Sequence, residues 1–315
     1  MALNSLNIIT LQNLKGVGPK TILKIGAFAE SRDVESAEKL YGILKELKIK
    51  NGKISIDDVY DAEDIARSII KRSVQNGIGV VSYYEDEFPE MLRHCLNEEG
   101  KEEPPIVLYY KGNLSVTRMP GLAVIGTREI LPEGDAAGKY LAGEFAKRGF
   151  CIVSGLAIGC DTAGHRGALD ANGKTLAFLA HGLDSVYPTE NEGLANEIVD
   201  NGGLLMSEYP VGTQVNRYNL VARDRLQAGM SMATLVVHTG VSGGTMHAVN
   251  TTIQEGKPVM VVRFKDARVN GHEKCKGNEY LVEKKGARYI TGIDDLDAIA
   301  DSIVSNSKVP RTLFR

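Results

Sequence analysis

The chain has 315 residues, enough for one to three domains of ordinary size. Its 37 lysines and arginines are outweighed by 40 aspartates and glutamates, a formal net charge of −3. That excludes a uniformly basic nucleic-acid binder and leaves room for a local basic groove. With 43% hydrophobic and 24% charged residues the composition is globular, and the outlier is glycine, 34 residues against a usual share of about 7%.

Residues 1–75 read as a helical domain, with apolar positions three and four apart at Ile22, Ile25, Phe28 and Ala29 and again at Val59, Ala62, Ile65, Ala66 and Ile69. Within it, LQNLKGVGPKTILKI (11–25) has the helix–hairpin–helix form. Gly16 and Gly18 permit a tight hairpin whose backbone N–H groups can meet a phosphate, and Lys15, Lys20 and Lys24 supply positive charge beside it. Such a contact ignores base identity and suits duplex DNA, and the competing reading is a purely structural hairpin. Residues 76–120 are more extended, and Pro104-Pro105 cuts any helix there.

From Gly121 the texture changes. LAVIG, FCIVSG, TLAFLAHG, GLLMSE, ATLVVHT and PVMVVRF are short apolar runs separated by amphipathic stretches. They predict buried parallel strands alternating with helices, an α/β domain over 76–305 with helices on both faces of the sheet. A last strand and a helix capped by Asp294 or Asp295 close it, and residues 306–315 read as a loose tail. Cys95, Cys151, Cys160 and Cys275 lack CxxC spacing, so neither a disulfide framework nor a zinc ribbon is expected. Without a leader-like start or a long apolar run, the expectation is a cytoplasmic protein with no membrane association.

Ligands of open parallel sheets bind beyond the carboxyl ends of the strands, and the unusual residues cluster there. Gly126-Thr127-Arg128 follows LAVI; Ser154, Gly155, Leu156, Ala157, Gly159, Asp161 and His165 follow FCIV; Ser242-Gly243-Gly244-Thr245 opens a helix after ATLVVHT. Glycines at helix N-termini expose backbone donors and the positive end of the dipole, so these turns and Arg128 predict a phosphate site. Asn172-Gly173-Lys174-Thr175 resembles the end of a phosphate-binding loop but precedes a strand, so Lys174 reads as a helix-exit residue supporting the pocket. Ser154, Asp161 and His165 lack the nucleophile elbow of a hydrolase, and no metal-ligand spacing appears among the histidines.

The run SGLAIGCDTAGHRGAL carries a family resemblance, together with VIGTR, HGLDSVYPTENEGLANEI, SEYPVGT, NLVARDRLQAGMS and SGGTMHAV. Over roughly residues 80–295 the chain resembles the DNA-processing protein A (DprA/Smf) family. The resemblance implies an extended Rossmann-like fold that binds single-stranded DNA in a basic pocket, forms dimers, loads a RecA-type recombinase and performs no catalysis of its own. By motif match Arg128 would grip a phosphate, Ser154, Gly155 and Ala157 would wall the pocket, and Asp161 and His165 would hold the helix that follows. Asn219, Arg223 and Arg225 match the family's N-F-P-x-R-N-R pattern.

The sequence also departs from that pattern. Leu220-Val221 replace Phe-Pro, leaving Tyr218 as the nearest aromatic; Asp224 replaces the second Asn; His247 follows the SGGT turn toward the expected pocket; and no winged-helix segment is expected after residue 300. The function expected is single-stranded DNA binding in DNA uptake, recombination or defence against foreign DNA, without cofactor or metal. The alternative is a Rossmann-like sensor or processing enzyme for nucleotides or NAD derivatives. Half of its P-G-G-x-G-T signature appears in Ser242–Thr245, but no carboxylate follows before Glu255.

Overall fold

The computed structural model describes residues 3–306. The tail expected at 306–315 lies outside this range, apart from Asn306. Four helices come first: α1 (Ser5–Asn13), α2 (Pro19–Ala29), α3 (Ala37–Glu46) and α4 (Ile56–Gln75). Their starts are encoded locally. Pro19 sits at the first turn of α2, where its missing N–H costs nothing. Ser55 and Asp58 form a reciprocal capping box at α4, Ser55 N–H donating to the Asp58 carboxylate at 2.7 Å and Asp58 N–H to Ser55 Oγ at 3.1 Å.

Strands β1 (Gly79–Ser82) and β2 (Val107–Gly112) precede the alternating region. There, β3 (Gly121–Ile125), α5 (Pro132–Lys147), β4 (Cys151–Ser154), α6 (Cys160–Asp170), β5 (Thr175–Leu179), α7 (Glu192–Asp200), β6 (Leu204–Ser207), α8 (Arg217–Gly229), β7 (Ala233–Val236), α9 (Thr245–Gln254) and β8 (Val259–Val262) follow in turn. α10 (Ala267–Asn270), α11 (Lys276–Lys285), β9 (Arg288–Ile290) and α12 (Leu296–Ser305) complete the described chain. Asp295, one of the two expected caps, accepts the Ala298 N–H at the start of α12.

All nine strands form one sheet in the order β1-β2-β6-β5-β4-β3-β7-β8-β9. β1 and β2 pair antiparallel with their neighbours, and the seven strands from β6 to β9 run parallel. Every residue of β3 to β8 is buried, as continuous apolar runs covered on both faces require. Alternate residues face opposite layers. Leu122, Val124, Leu235 and Val262 pack with α5 and α12, whereas Ala123, Ile125, Val236 and Val261 pack with α9 and α11.

The N-terminal helices share a core with the sheet. Ile8, Ile22, Leu44 and Val59 belong to the same apolar cluster as Val107 and Tyr109 of β2, Ala177 and Leu179 of β5, and Leu194 and Ile198 of α7. Burial of this interlayer surface, at about 25 cal/mol per Å² of apolar area, holds α1–α4 against one face of the sheet. All four cysteines are buried and free, and burial pushes the Cys95 and Cys160 thiols up to about 12. Among the described residues no helix is long and apolar enough to cross a membrane.

Candidate nucleic-acid interface

The parallel strand order reverses between β3 and β7, with β4, β5 and β6 on one side and β8 and β9 on the other. At such a switch point the loops leaving the two central strands diverge to opposite faces and leave a crevice at the carboxyl ends. A cavity of 340 Å³ occupies it, at the small end of the roughly 300–1,000 Å³ typical of ligand pockets. Gly126, Thr127 and Arg128 line it after β3, Ala157 from the loop after β4 and Asp161 from α6, Leu220, Val221, Arg223, Asp224 and Gln227 from α8, and Ser242, Gly243, Gly244 and Thr245 from the turn that opens α9. The sheet thus gathers residues that are more than a hundred positions apart.

The two glycine-rich turns differ in state. At α9 the backbone N–H groups of Gly243, Gly244 and Thr245 have no acceptor in the protein. They are the unpaired donors of a helix N-terminus, open to the cavity. At α6 the corresponding role is filled internally. The Asp161 carboxylate accepts the N–H groups of Gly155 at 3.1 Å and Ala157 at 3.3 Å, and Cys160 N–H donates to the Thr127 carbonyl. Between them Leu156 is held at φ 60°, a left-handed conformation costing a non-glycine residue about 1–3 kcal/mol. Asn191 Nδ2 clamps the Leu156 carbonyl at 2.8 Å. Gly159, at φ 90°, supports the neighbouring loop, because a Cβ there would strike the Thr127 and Arg128 carbonyls.

Several expected pocket residues therefore have other duties. Ser154 Oγ donates to the Val124 carbonyl at 2.6 Å inside the sheet, and the Gly155 and Ala157 amides are spent on Asp161. Arg223 does line the cavity, but its Nη1 is committed to the carbonyls of Gly155 and Phe178. Arg225 lies outside the cavity, in a bidentate pair with Glu208 at 2.7 Å. Its charge is already neutralised, and the expectation of a second phosphate grip there is not met. Asn219 sits in the capped first turn of α8, its N–H on Asn216 Oδ1, and does not line the cavity.

His165 is fully buried under the sheet with Nδ1 2.6 Å from Thr175 Oγ1. Thr175 Oγ1 in turn donates to the Ile152 carbonyl, so the imidazole is the Nδ1–H tautomer. Burial, with Arg223 and Arg166 nearby, pushes its pKa down to about 3, and it stays neutral. It ties α6 to β5 and does not line the cavity. Lys174 is a correction: it precedes β5 at the opposite end of the sheet and donates to the Asn201 carbonyl at 2.6 Å. Tyr218 is 70% exposed beneath the Arg217 guanidinium and does not line the cavity. His247 turns instead to Glu98, Nδ1 to Oε2 at 2.7 Å, in a neighbouring cleft.

Cavity electrostatics are mixed. Arg128 is exposed and has no ion-pair or hydrogen-bond partner, whereas its neighbour Glu129 pairs with Lys274. Burial raises the Asp161 carboxyl against the pull of Arg223 and its two amides. Burial likewise lifts Asp224 to about 6, opposed by Arg223 and reinforced by Asp161. Glu255, the one carboxylate following the SGGT turn, accepts the Leu96 N–H and pairs with Lys257, away from the cavity. Among the described residues no group of histidines, cysteines and carboxylates could hold a metal ion.

The hairpin forms as its motif requires, α1 and α2 meeting at Gly16 and Gly18. The structure divides the expected contact set, however. Lys15 and Gly16 line one cleft of 720 Å³, and Gly18 and Lys20 line another beside Glu102, Glu103 and Glu208. The first cleft gains Lys50 and Lys53 from the loop between α3 and α4, with the Lys50 side chain filling the space that a Cβ on Gly16 would take. No motif marks these two lysines. Gln227 was likewise missed, although its spacing of three from Asp224 puts both on one face of α8.

The model of the DNA recombination-mediator protein A family matches residues 79–300. Protein Smf of Synechocystis sp. is 42% identical over 147 residues, 45% of this chain and 37% of that protein. The DNA processing protein DprA of Streptococcus pneumoniae is 35% identical over 161 residues, 51% of this chain and 56% of that protein. The chain thus spans about half the length of these curated relatives or less. Among solved structures, DNA processing protein A from Streptococcus pneumoniae superposes with a TM-score of 0.75 at 24% identity, covering 98% of this chain and 100% of that one. DNA processing protein A from Helicobacter pylori, whose single-stranded DNA binding mode that structure describes, gives 0.60 at 25% identity over 73% and 98% of the two chains. With its sheet order, switch-point cavity and a family match over most of its length, the chain belongs to the DNA recombination-mediator protein A family.

Proposed function

We propose that the switch-point cavity binds single-stranded DNA, and that the protein serves DNA recombination or uptake as a binding protein without catalytic activity. Arg128 carries this reading. It is an exposed guanidinium with no partner in the protein, lining the same cavity as the three unpaired amides at the start of α9. A phosphate satisfies both, through charge-assisted hydrogen bonds and the helix dipole. Family membership and the single-stranded DNA binding described for the Helicobacter pylori relative support the same ligand.

In this reading residues 76–305 hold the strand and residues 1–75 present the hairpin to duplex DNA. The protein acts as a homodimer that passes its strand to a RecA-type recombinase. The test is fluorescence anisotropy with a labelled single-stranded oligonucleotide. Arg128→Ala should weaken binding several-fold, and log affinity should fall against log salt by about 0.7 for each phosphate neutralised. Unchanged affinity in the variant removes the assignment of the cavity.

A further inference from the structure

The cavity that offers an anion three open amides and a free guanidinium also aims a carboxylate at them. Asp224, on α8, lines it and keeps 15% of its side-chain surface exposed. Its Oδ1 accepts from Arg223 Nε and Gln227 Nε2, each at 3.2 Å. Oδ2 accepts nothing in the protein, and it lies 3.9 Å from the point where a Cβ on Gly244 would stand. Arg223 is not free to cover it, because its Nη1 is held by the Gly155 and Phe178 carbonyls. A phosphate seated on the amides of Gly243, Gly244 and Thr245 therefore comes to rest beside an uncompensated carboxylate oxygen.

We propose that Asp224 is an electrostatic brake on the cavity: ionised, it repels the phosphate at the α9 turn, and protonated, it admits it, so that strand binding takes up one proton from solvent. Like charges this close repel strongly where water is partly excluded. A protonated carboxyl instead presents Oδ2 as a donor to a phosphate oxygen. The charged groups around Asp224 are Arg223 on its own helix, Asp161 from α6, His247 from α9 with its partner Glu98, and Arg128 and Glu129 from the loop after β3, Glu129 being paired with Lys274. Burial lifts the Asp224 carboxyl to about 6, with Arg223 opposing and Asp161 reinforcing the shift. An adjacent phosphate raises it further, so the complex holds the proton more tightly than the free protein does.

This inference rests on the single-strand reading of the cavity, and the experiment separates the two. Anisotropy titrations use labelled oligothymidine at one ionic strength from about pH 8 to about pH 5, a range over which neither phosphodiester nor thymine titrates. Affinity should rise about tenfold as pH falls toward 6 and level off below it, once the free protein is protonated as well. Asp224→Asn should bind near that acid plateau at every pH. His247→Gln, which removes the neighbouring imidazole, should keep the rise. A rise that survives in Asp224→Asn, a rise lost in His247→Gln, or weaker binding by Asp224→Asn than by the unaltered chain at about pH 8 overturns the brake. Failure of folded protein to bind the strand at any pH overturns the single-strand reading itself.

Discussion

The helix N-termini of α6 and α9 look alike in sequence, each a glycine-rich turn after an apolar strand, and they end in opposite states. At α6 an acidic residue in the first turn folds back onto the amides of its own loop. At α9 the first turn is Thr245-Met246-His247, which offers no carboxylate, and its amides stay open. The difference shows that a glycine-rich turn marks where backbone donors are exposed during folding, and the nearest carboxylate decides whether they remain available. One turn is structural and its counterpart is free for a ligand.

Four substitutions test that contrast. Asp161→Ala, which strands two buried amides and leaves Arg223 with less counter-charge, should lower unfolding stability by about 3 kcal/mol in urea titrations. A loss below about 1 kcal/mol would mean that the α6 turn is not held by its carboxylate.

Asp224→Asn should act in the other direction. Burial raises the folded pKa of Asp224 to about 6 from 3.8, so the native state binds the proton more tightly than the unfolded chain. The benefit of protonation is fully present below the unfolded value and is lost as pH rises through about 6. Above that the ionised carboxylate carries its full burial cost, set by Arg223 and Gln227 on its own helix, Asp161 on α6 and His247 on α9. Asparagine removes it, so the variant should gain about 2 kcal/mol at pH 7.5, and the gain should shrink as pH falls from 6 toward 4. A gain independent of pH would assign the effect to packing.

Lys50→Ala, beside the hairpin, should weaken duplex binding about threefold and reduce its salt slope by about 1, with single-strand binding in the cavity unchanged. Equal losses on both substrates would make the hairpin cleft a structural feature. The smallest change in stability is expected at the open turn. Thr245→Ala should shift unfolding by less than about 0.5 kcal/mol, as a site with no internal partner implies. A loss comparable to that of Asp161→Ala would erase the distinction between the turns.

Much of the architecture was legible without coordinates. The six apolar runs from LAVIG to PVMVVRF are the strands β3 to β8, because a strand buried on both faces needs apolar residues at every position. The hairpin was legible because Gly16, at φ 79°, answers a local backbone requirement, whereas Gly18 is extended with open space beside it. Arg128 and the 242–245 turn do line the cavity, and their position after strands made that legible. Arg225, Lys174 and His247 do not line it. Their partners Glu208, Asn201 and Glu98 come from other elements, and such pairings leave no periodic signal.

The sequence by itself determined the elements, the parallel character of the sheet and the glycine turns, since these follow from hydrophobic period and backbone freedom within a few neighbouring residues. Only the tertiary structure decided that β3 lies beside β7 and so where the cavity opens. It also decided which amides and guanidinium groups were already satisfied, Asp161 and Glu208 claiming Gly155, Ala157 and Arg225 and leaving Arg128 free. The physical reason is the range of the interactions. Helix and strand preferences act over a few residues, whereas strand order and the pairing of buried charges are settled by contacts between segments as much as a hundred or more residues apart.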